Sequence, residues 1–261
     1  MKKTVILLAM LGLVLSSCSK LERNEKKYLD GILSEDYATS NQAMAEFNKW
    51  MTADEATMTY DFNLMREKLG MKIVDSPDGK LRCYSWITSR GDTICNYANI
   101  VQMIVNGQMV GYAGPLEVML TGRKPAVGRQ WSLSHSIDTI YQLEAKPQTI
   151  YLIEQSYVNE TGLSFSYLSA AAPNGVLLKI LPFFFNGIET AGNRGYVDDG
   201  KVNKKDLIKW DAKEGKLYSY LTDDKNHVIS GKYETYVLGV NQFTKVDEPQ
   251  NDNDKTENIN N

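Results

Sequence analysis

The hydrophobic pattern of this chain changes character twice. Residues 4–15 are apolar almost throughout, residues 19–35 are polar and charged, and beyond Met71 apolar and polar positions alternate in short runs. Between the last two regimes, Met44, Phe47, Trp50 and Met51 recur at helical spacing behind Thr39-x-x-Gln42. That combination predicts a capped amphipathic helix over residues 39–51. Met58, Tyr60 and Phe62 alternate and predict a short strand. Leu64, Met65 and Leu69 then predict a helical turn closed by Gly70.

From Met71 onward, runs rich in aromatic and β-branched residues are bounded by Gly, Asn and Asp. They predict strands over residues 81–88, 93–105, 108–113, 138–143, 149–158, 163–169, 176–185, 205–210, 216–221 and 232–240. Asn106-Gly107, Pro173-Asn174-Gly175 and Glu214-Gly215 supply hairpin chemistry between them. The expected fold is therefore mainly β: an antiparallel meander, sandwich or partial propeller-like, with one or two short N-terminal helices and a single domain over residues 36–245. Gly79-Lys80-Leu81, Gly215-Lys216-Leu217 and Gly231-Lys232-Tyr233 echo one another as turn glycines feeding strands, without a constant period. Residues 186–204, with four glycines and two aspartates, read as a long loop. Residues 246–261 are acid- and Asn-rich and read as a disordered tail, since they hold too little apolar surface to offset ordering entropy.

The N-terminus has a specific meaning. Lys2 and Lys3 precede the apolar run, which ends in Leu15-Ser16-Ser17-Cys18. The run is too short for a stable bilayer-spanning helix, and the pattern is that of a bacterial lipoprotein leader, residues 1–17 being removed and Cys18 carrying the lipid. Residues 18–35 then read as a tether between the lipid and the fold. The implied location is the cell envelope, with the chain anchored in the outer membrane on its periplasmic side or at the cell surface.

The net charge is −3 at pH 7. The tail alone carries −4, with Asp247, Glu248, Asp252, Asp254 and Glu257 against Lys255, so without Lys2 and Lys3 of the leader the folded body is close to −1. A nucleic-acid partner requires a concentrated basic field and is not expected. With Cys18 assigned to the lipid, Cys83 and Cys95 remain as a candidate disulfide in an oxidising compartment. They flank a predicted hairpin turn, Ser89-Arg90-Gly91-Asp92, and strand register decides whether they share a face. Two half-buried thiols in neighbouring strands are the favoured reading.

The search for chemistry returns little. His135 and His227 are the only histidines, no His-Glu-x-x-His helix exists, and no phosphate-binding glycine loop is present. Neither a metal nor a cofactor is expected. Gly162-Leu163-Ser164-Phe165-Ser166 lacks the second glycine of a nucleophile elbow. Asp138, Glu144 and Glu154 sit in or beside strands and are the candidates for a glycosidase carboxylate pair, whose test is their separation. The other feature is aromatic. Tyr84 with Trp86, and Tyr218 with Tyr220, each fall on one face of a predicted strand and offer candidate platforms for stacking sugar rings.

The leader, the charged segment after it and Ser76-Pro77-Asp78-Gly79-Lys80-Leu81-Arg82-Cys83-Tyr84-Ser85-Trp86 resemble a family of uncharacterised cell-envelope lipoproteins of Bacteroides-type bacteria. Ile87 stands where that family has an acid, and Arg90-Gly91-Asp92-Thr93 keeps one glycine of its Gly-Gly-Thr turn. Residues 148–154 and 233–243 are also similar to family strands. The resemblance implies envelope location and β architecture and brings no activity. Cys18-Ser19-Lys20-Leu21-Glu22 partly resembles a surface-export signal of such organisms, with Leu21 in place of the first acid. The expected function is that of a lipid-anchored, non-enzymatic module binding a glycan or an envelope protein. An envelope glycoside hydrolase and a structural subunit of an outer-membrane assembly are the alternatives.

Overall fold

The computed structural model describes residues 20–90, 95–114, 135–146, 148–158, 163–175, 177–185, 188–190, 192 and 195–246. The leader, Cys18 and the tail beyond Val246 lie outside them. The first correction comes at once. Residues 20–32, read above as a tether, form a helix, α1. Leu21 and Leu29 are buried on its inner face, and Tyr28 and Ile32 pack there too. The stripe sits among lysines and glutamates, so mean polarity concealed a helical period that burial reveals.

Helix α2 spans Tyr37–Ala53 and runs antiparallel to α1. Its N-cap is Asp36, whose carboxylate accepts from Thr39 N at 2.9 Å and Thr39 Oγ1 at 2.5 Å. Thr39 therefore lies inside the helix instead of capping it. Gly31 and Ala43 let the two helices touch, since a Cβ on Gly31 would stand 2.6 Å from that of Ala43. The strand expected over residues 58–62 is absent. A short 3-10 turn, Glu55–Thr59, leads instead to helix α3, Asn63–Leu69, which Gly70 ends in the left-handed conformation (φ 65°).

One buried carboxylate locks this helical layer. Glu25 of α1 is 1% exposed. Its Oε2 accepts from the Tyr60 hydroxyl at 2.6 Å and its Oε1 from the Met65 backbone N–H at 2.9 Å.

The β elements follow in chain order: β1 Lys72–Asp75, β2 Leu81–Arg90, β3 Cys95–Val105, β4 Gln108–Ala113, β5 Ser136–Glu144, β6 Thr149–Val158, β7 Ser164–Asn174, β8 Leu177–Leu181, β9 Phe183–Phe185, β10 Ile188–Thr190, β11 Tyr196–Val197, β12 Ile208–Asp211, β13 Lys216–Thr222, β14 Val228–Leu238 and β15 Phe243–Val246. They form three sheets. The first has the order β1-β2-β3-β4, the second β11-β7-β6-β5 with β8 also on β7, and the third β10-β9-β15-β14-β13-β12. Every pairing is antiparallel except β9 with β15. Residues 176–185, expected as one strand, divide at Pro182, which cannot donate to a ladder. The chain there leaves the second sheet for the third. Residues 186–204, expected as a loop, contain β10 and β11.

The cores between the sheets give the layer order. Tyr84, Trp86 and Ile100 of the first sheet pack on the helices. Its opposite face, with Leu81, Cys83, Val101 and Met103, packs on Ile137, Ile140, Tyr151 and Ile153 of the second sheet. The second sheet's other face, with Leu143, Ile150, Leu152 and Ala170, packs on Phe183, Leu217, Tyr236 and Phe243 of the third. The fold is thus a helical layer followed by three stacked sheets, a mainly β antiparallel architecture with short helices.

Prediction for this layer follows from Glu25. Its replacement by Ala leaves the Met65 N–H and Tyr60 hydroxyl without their acceptor, and costs about 3 kcal/mol on the scale of hydrogen bonds to charged groups. Urea unfolding of the E25A variant measures it, and an unchanged midpoint would contradict the locking role.

Candidate functional site

The disulfide is ruled out by register. Cys83 pairs with Val101 and Cys95 with Arg90. Six residue steps along β3 separate Val101 from Cys95, about 20 Å along the ladder at the usual rise per residue. A disulfide needs the two Cα atoms within about 7 Å. Cys83 is a free thiol at 0% exposure, and burial pushes its pKa far above the ordinary value.

Three of the four candidate stacking aromatics are core residues. Tyr84 is 0% exposed and Trp86 1%. Both face the helices, not solvent. The Tyr84 hydroxyl donates to Gln102 Oε1 at 2.6 Å and lies 3.0 Å from Thr57 O, which explains a tyrosine at a fully buried position. Tyr220 is buried against Leu168, Tyr196 and Leu207, beside a register shift between β13 and β14. Only Tyr218 is half-buried, so no aromatic row forms from these residues.

The candidate carboxylates divide between two grooves. The first groove, about 410 Å³, is lined by Lys72, Asp138, Thr139, Ser156, Ser164, Asp198 and Lys204. Glu154 lies next to it, bound to Lys204 and fully buried. Tyr196 donates to its Oε1 at 2.5 Å, Lys204 Nζ donates to the same oxygen at 2.7 Å, and the Tyr141 hydroxyl approaches Oε2 at 3.4 Å. Lys204 also pairs with Asp198 at 3.3 Å, and Lys72 pairs with Asp138 at 2.6 Å. Sequence reasoning had not singled out Lys204 or Tyr196. Each carboxylate here is therefore engaged by a lysine, and Glu154 has no surface with which to meet a ligand. This cluster is built to neutralise a buried charge.

The Lys204 ammonium reflects that role. Burial lowers its pKa, but the hydrogen bond and charge of Glu154, helped by Asp138 and Asp198, raise it above the ordinary 10.5. Burial and the Glu154 charge also push the Tyr141 and Tyr196 hydroxyls far up.

Glu144 lies in the second groove, about 990 Å³, between the β5–β6 hairpin and the edge of the third sheet. Trp210 of β12 is half-buried in its wall. Its indole packs on the core shared by the second and third sheets, and Nε1 donates to Glu144 O at 3.3 Å. The opposite wall carries Gln142, Glu144, Lys146 and Gln148, and the β12–β13 turn adds Lys213 and Glu214. That turn is fixed by Asp211, whose Oδ1 accepts from the N–H groups of Lys213 at 2.9 Å and Glu214 at 3.0 Å. Gln142 adds one more observation. Its Oε1 is buried, with no hydrogen-bond donor among the described residues. The sequence held a single cue to this site, a tryptophan between Lys209 and Asp211 in an edge strand, and the residues facing it come from a hairpin 66 positions away.

The chain matches no protein-family model, no curated protein and no solved structure.

The Glu154 cluster generates a stability prediction. Lys204→Met leaves a buried carboxylate without its cation and costs about 3 kcal/mol, while adding Glu154→Gln recovers part of the loss. Because the folded pKa of Lys204 lies above its unfolded value, the pair's contribution is fully present below pH 10.5 and is lost as pH rises through the folded value. Urea titrations of wild type and K204M across the alkaline range measure both effects. A wild-type alkaline decline that persists unchanged in K204M would contradict the assignment.

Proposed function

We propose that this protein is a lipid-anchored, non-enzymatic glycan-binding module of the bacterial cell envelope, with the Trp210 groove as its binding site. The anchor is the diacylglyceryl thioether expected at Cys18, and the location is the outer membrane. The lipoprotein leader and the likeness of residues 76–86 to envelope lipoproteins support that location. The observation that carries the binding reading is the half-buried indole of Trp210 in a groove whose walls also carry amides and charges of both signs.

The chemistry suits a sugar. An indole face held rigid by the core provides the flat apolar platform on which the C–H face of a pyranose rests. Glu144, Gln148 and Glu214 supply acceptors at the rim. The two acids and two lysines balance, so the groove favours no strongly charged ligand. Sugar hydroxyls reproduce the hydrogen bonds that water makes to such polar groups, so exchanging water for sugar loses little. The glycoside hydrolase alternative is the weaker reading, because Asp138 and Glu154 are each tied to a lysine and Glu144 stands in the other groove.

The test is a glycan array probed with the mature lipoprotein in detergent micelles. The expected result is binding to a neutral polysaccharide that Trp210→Ala weakens roughly tenfold, the scale of one lost aromatic contact. Tyr218→Ala, outside the groove, leaves that affinity unchanged. Failure to bind any glycan, or equal binding by W210A, would retire this function.

A further inference from the structure

We infer that the outward face of α1 is a membrane-docking surface that takes anionic phospholipid headgroups, so that the protein stands flush on the bilayer with its helical layer beneath and the Trp210 groove pointing away. The inference rests on the lipid anchor proposed above.

Three observations lead to it. The first is the length of free chain. Residue 20 is already helical. Only Ser19 stands between it and Cys18, so this part of α1 lies within about 7 Å of the lipidated residue. The second is rigidity. Leu21 and Leu29 are buried in the helical core, Glu25 is held by Tyr60 and Met65, and Lys27 pairs with Glu46 of α2 at 3.3 Å. A helix tied in this way carries the body with it. The third is charge. At 100° per residue, Lys20, Arg23 and Lys26 fall within about a third of the circumference, opposite the side that buries Leu21, Glu25 and Leu29. All three are exposed, and Lys27 beside them is engaged by Glu46 of α2. Asp30 is the exposed acid within the same arc, which leaves a basic excess of two on the outward side.

A basic helix face held within a few ångströms of a leaflet lies inside the range over which anionic headgroups attract it. The alternative, a body swinging at the end of a flexible chain, requires a tether that the structured residues do not leave. The orientation has a consequence for the groove. The sheets stack outward from α1 at about 10 Å per layer. The groove, between the second and third sheets, is therefore on the order of 20 Å from the helical layer and faces open space.

The test uses the full-length lipoprotein in vesicles of phosphatidylethanolamine and phosphatidylglycerol doped with a headgroup nitroxide. Cys95→Ser is the background, Cys83 being buried. A single fluorophore is placed at Asp30→Cys on the outward side of α1, or at Ala212→Cys beside the groove. The expected result is strong quenching at position 30 and none at 212. Charge reversal by K20E, R23E and K26E abolishes the quenching at 30 while the protein stays with the vesicles. Equal quenching at both positions, or quenching at 30 that survives charge reversal, overturns the docking surface. Mass spectrometry of the same sample separates the two readings. A chain without the diacylglyceryl mass on Cys18 sinks the anchor itself, and an acylated chain with equal quenching sinks only the orientation.

Discussion

The fold depends on one strand that cannot be left uncovered. In β6, the six successive residues from Ile150 to Gln155 are all buried. Side chains of a strand alternate between faces, so a run of that kind demands a packed layer on each side. The first sheet covers Tyr151 and Ile153, and the third covers Ile150 and Leu152. The stacking of three sheets is the consequence, and the second sheet holds the other two in place. Burying the four apolar side chains, Ile150 to Ile153, stabilises the fold by roughly 8 kcal/mol before entropy is counted.

The same constraint explains the polar residues within β6. Glu154 and Gln155 lie on opposite faces of a doubly covered strand, and each must find partners inside. Gln155 donates to Ser169 Oγ at 3.0 Å. Glu154 recruits Tyr196, Tyr141 and Lys204 from three other segments. What looked like a catalytic carboxylate is thereby a fastening between the second sheet and the chain around β11. The grooves form where the covering layers end. At one end of the second sheet the lysine-paired acids close a polar rim, and at the other the β5–β6 hairpin stands against Trp210.

The β class of this chain was legible because period-two alternation and turn residues are local. Asn106 and Gly107 both adopt positive φ, as their turn requires, and the strands on either side fall where expected. Partnership between strands was not legible. The β2–β3 register depends on how far both strands extend beyond the expected turn, and they run on to Arg90 and from Cys95, which carries Cys83 and Cys95 far apart. Face assignment failed for the same reason. Tyr84 and Trp86 share a face as expected, but the helical layer that covers it is set by tertiary packing. Helix α1 was missed because its apolar positions are diluted by charge, although Leu21, Tyr28, Leu29 and Ile32 keep a helical period. The Trp210 groove escaped notice because its two walls are distant in sequence.

Native-state hydrogen exchange tests the central claim that β6 is the doubly covered heart of the fold. The amides of Leu152, Ile153 and Glu154 should exchange only through global unfolding, with an opening free energy equal to the stability measured in urea. Those of the sheet-edge strands β10 and β12 should exchange through smaller openings. If the β6 amides exchange as fast as the edge strands, the three-layer account is contradicted.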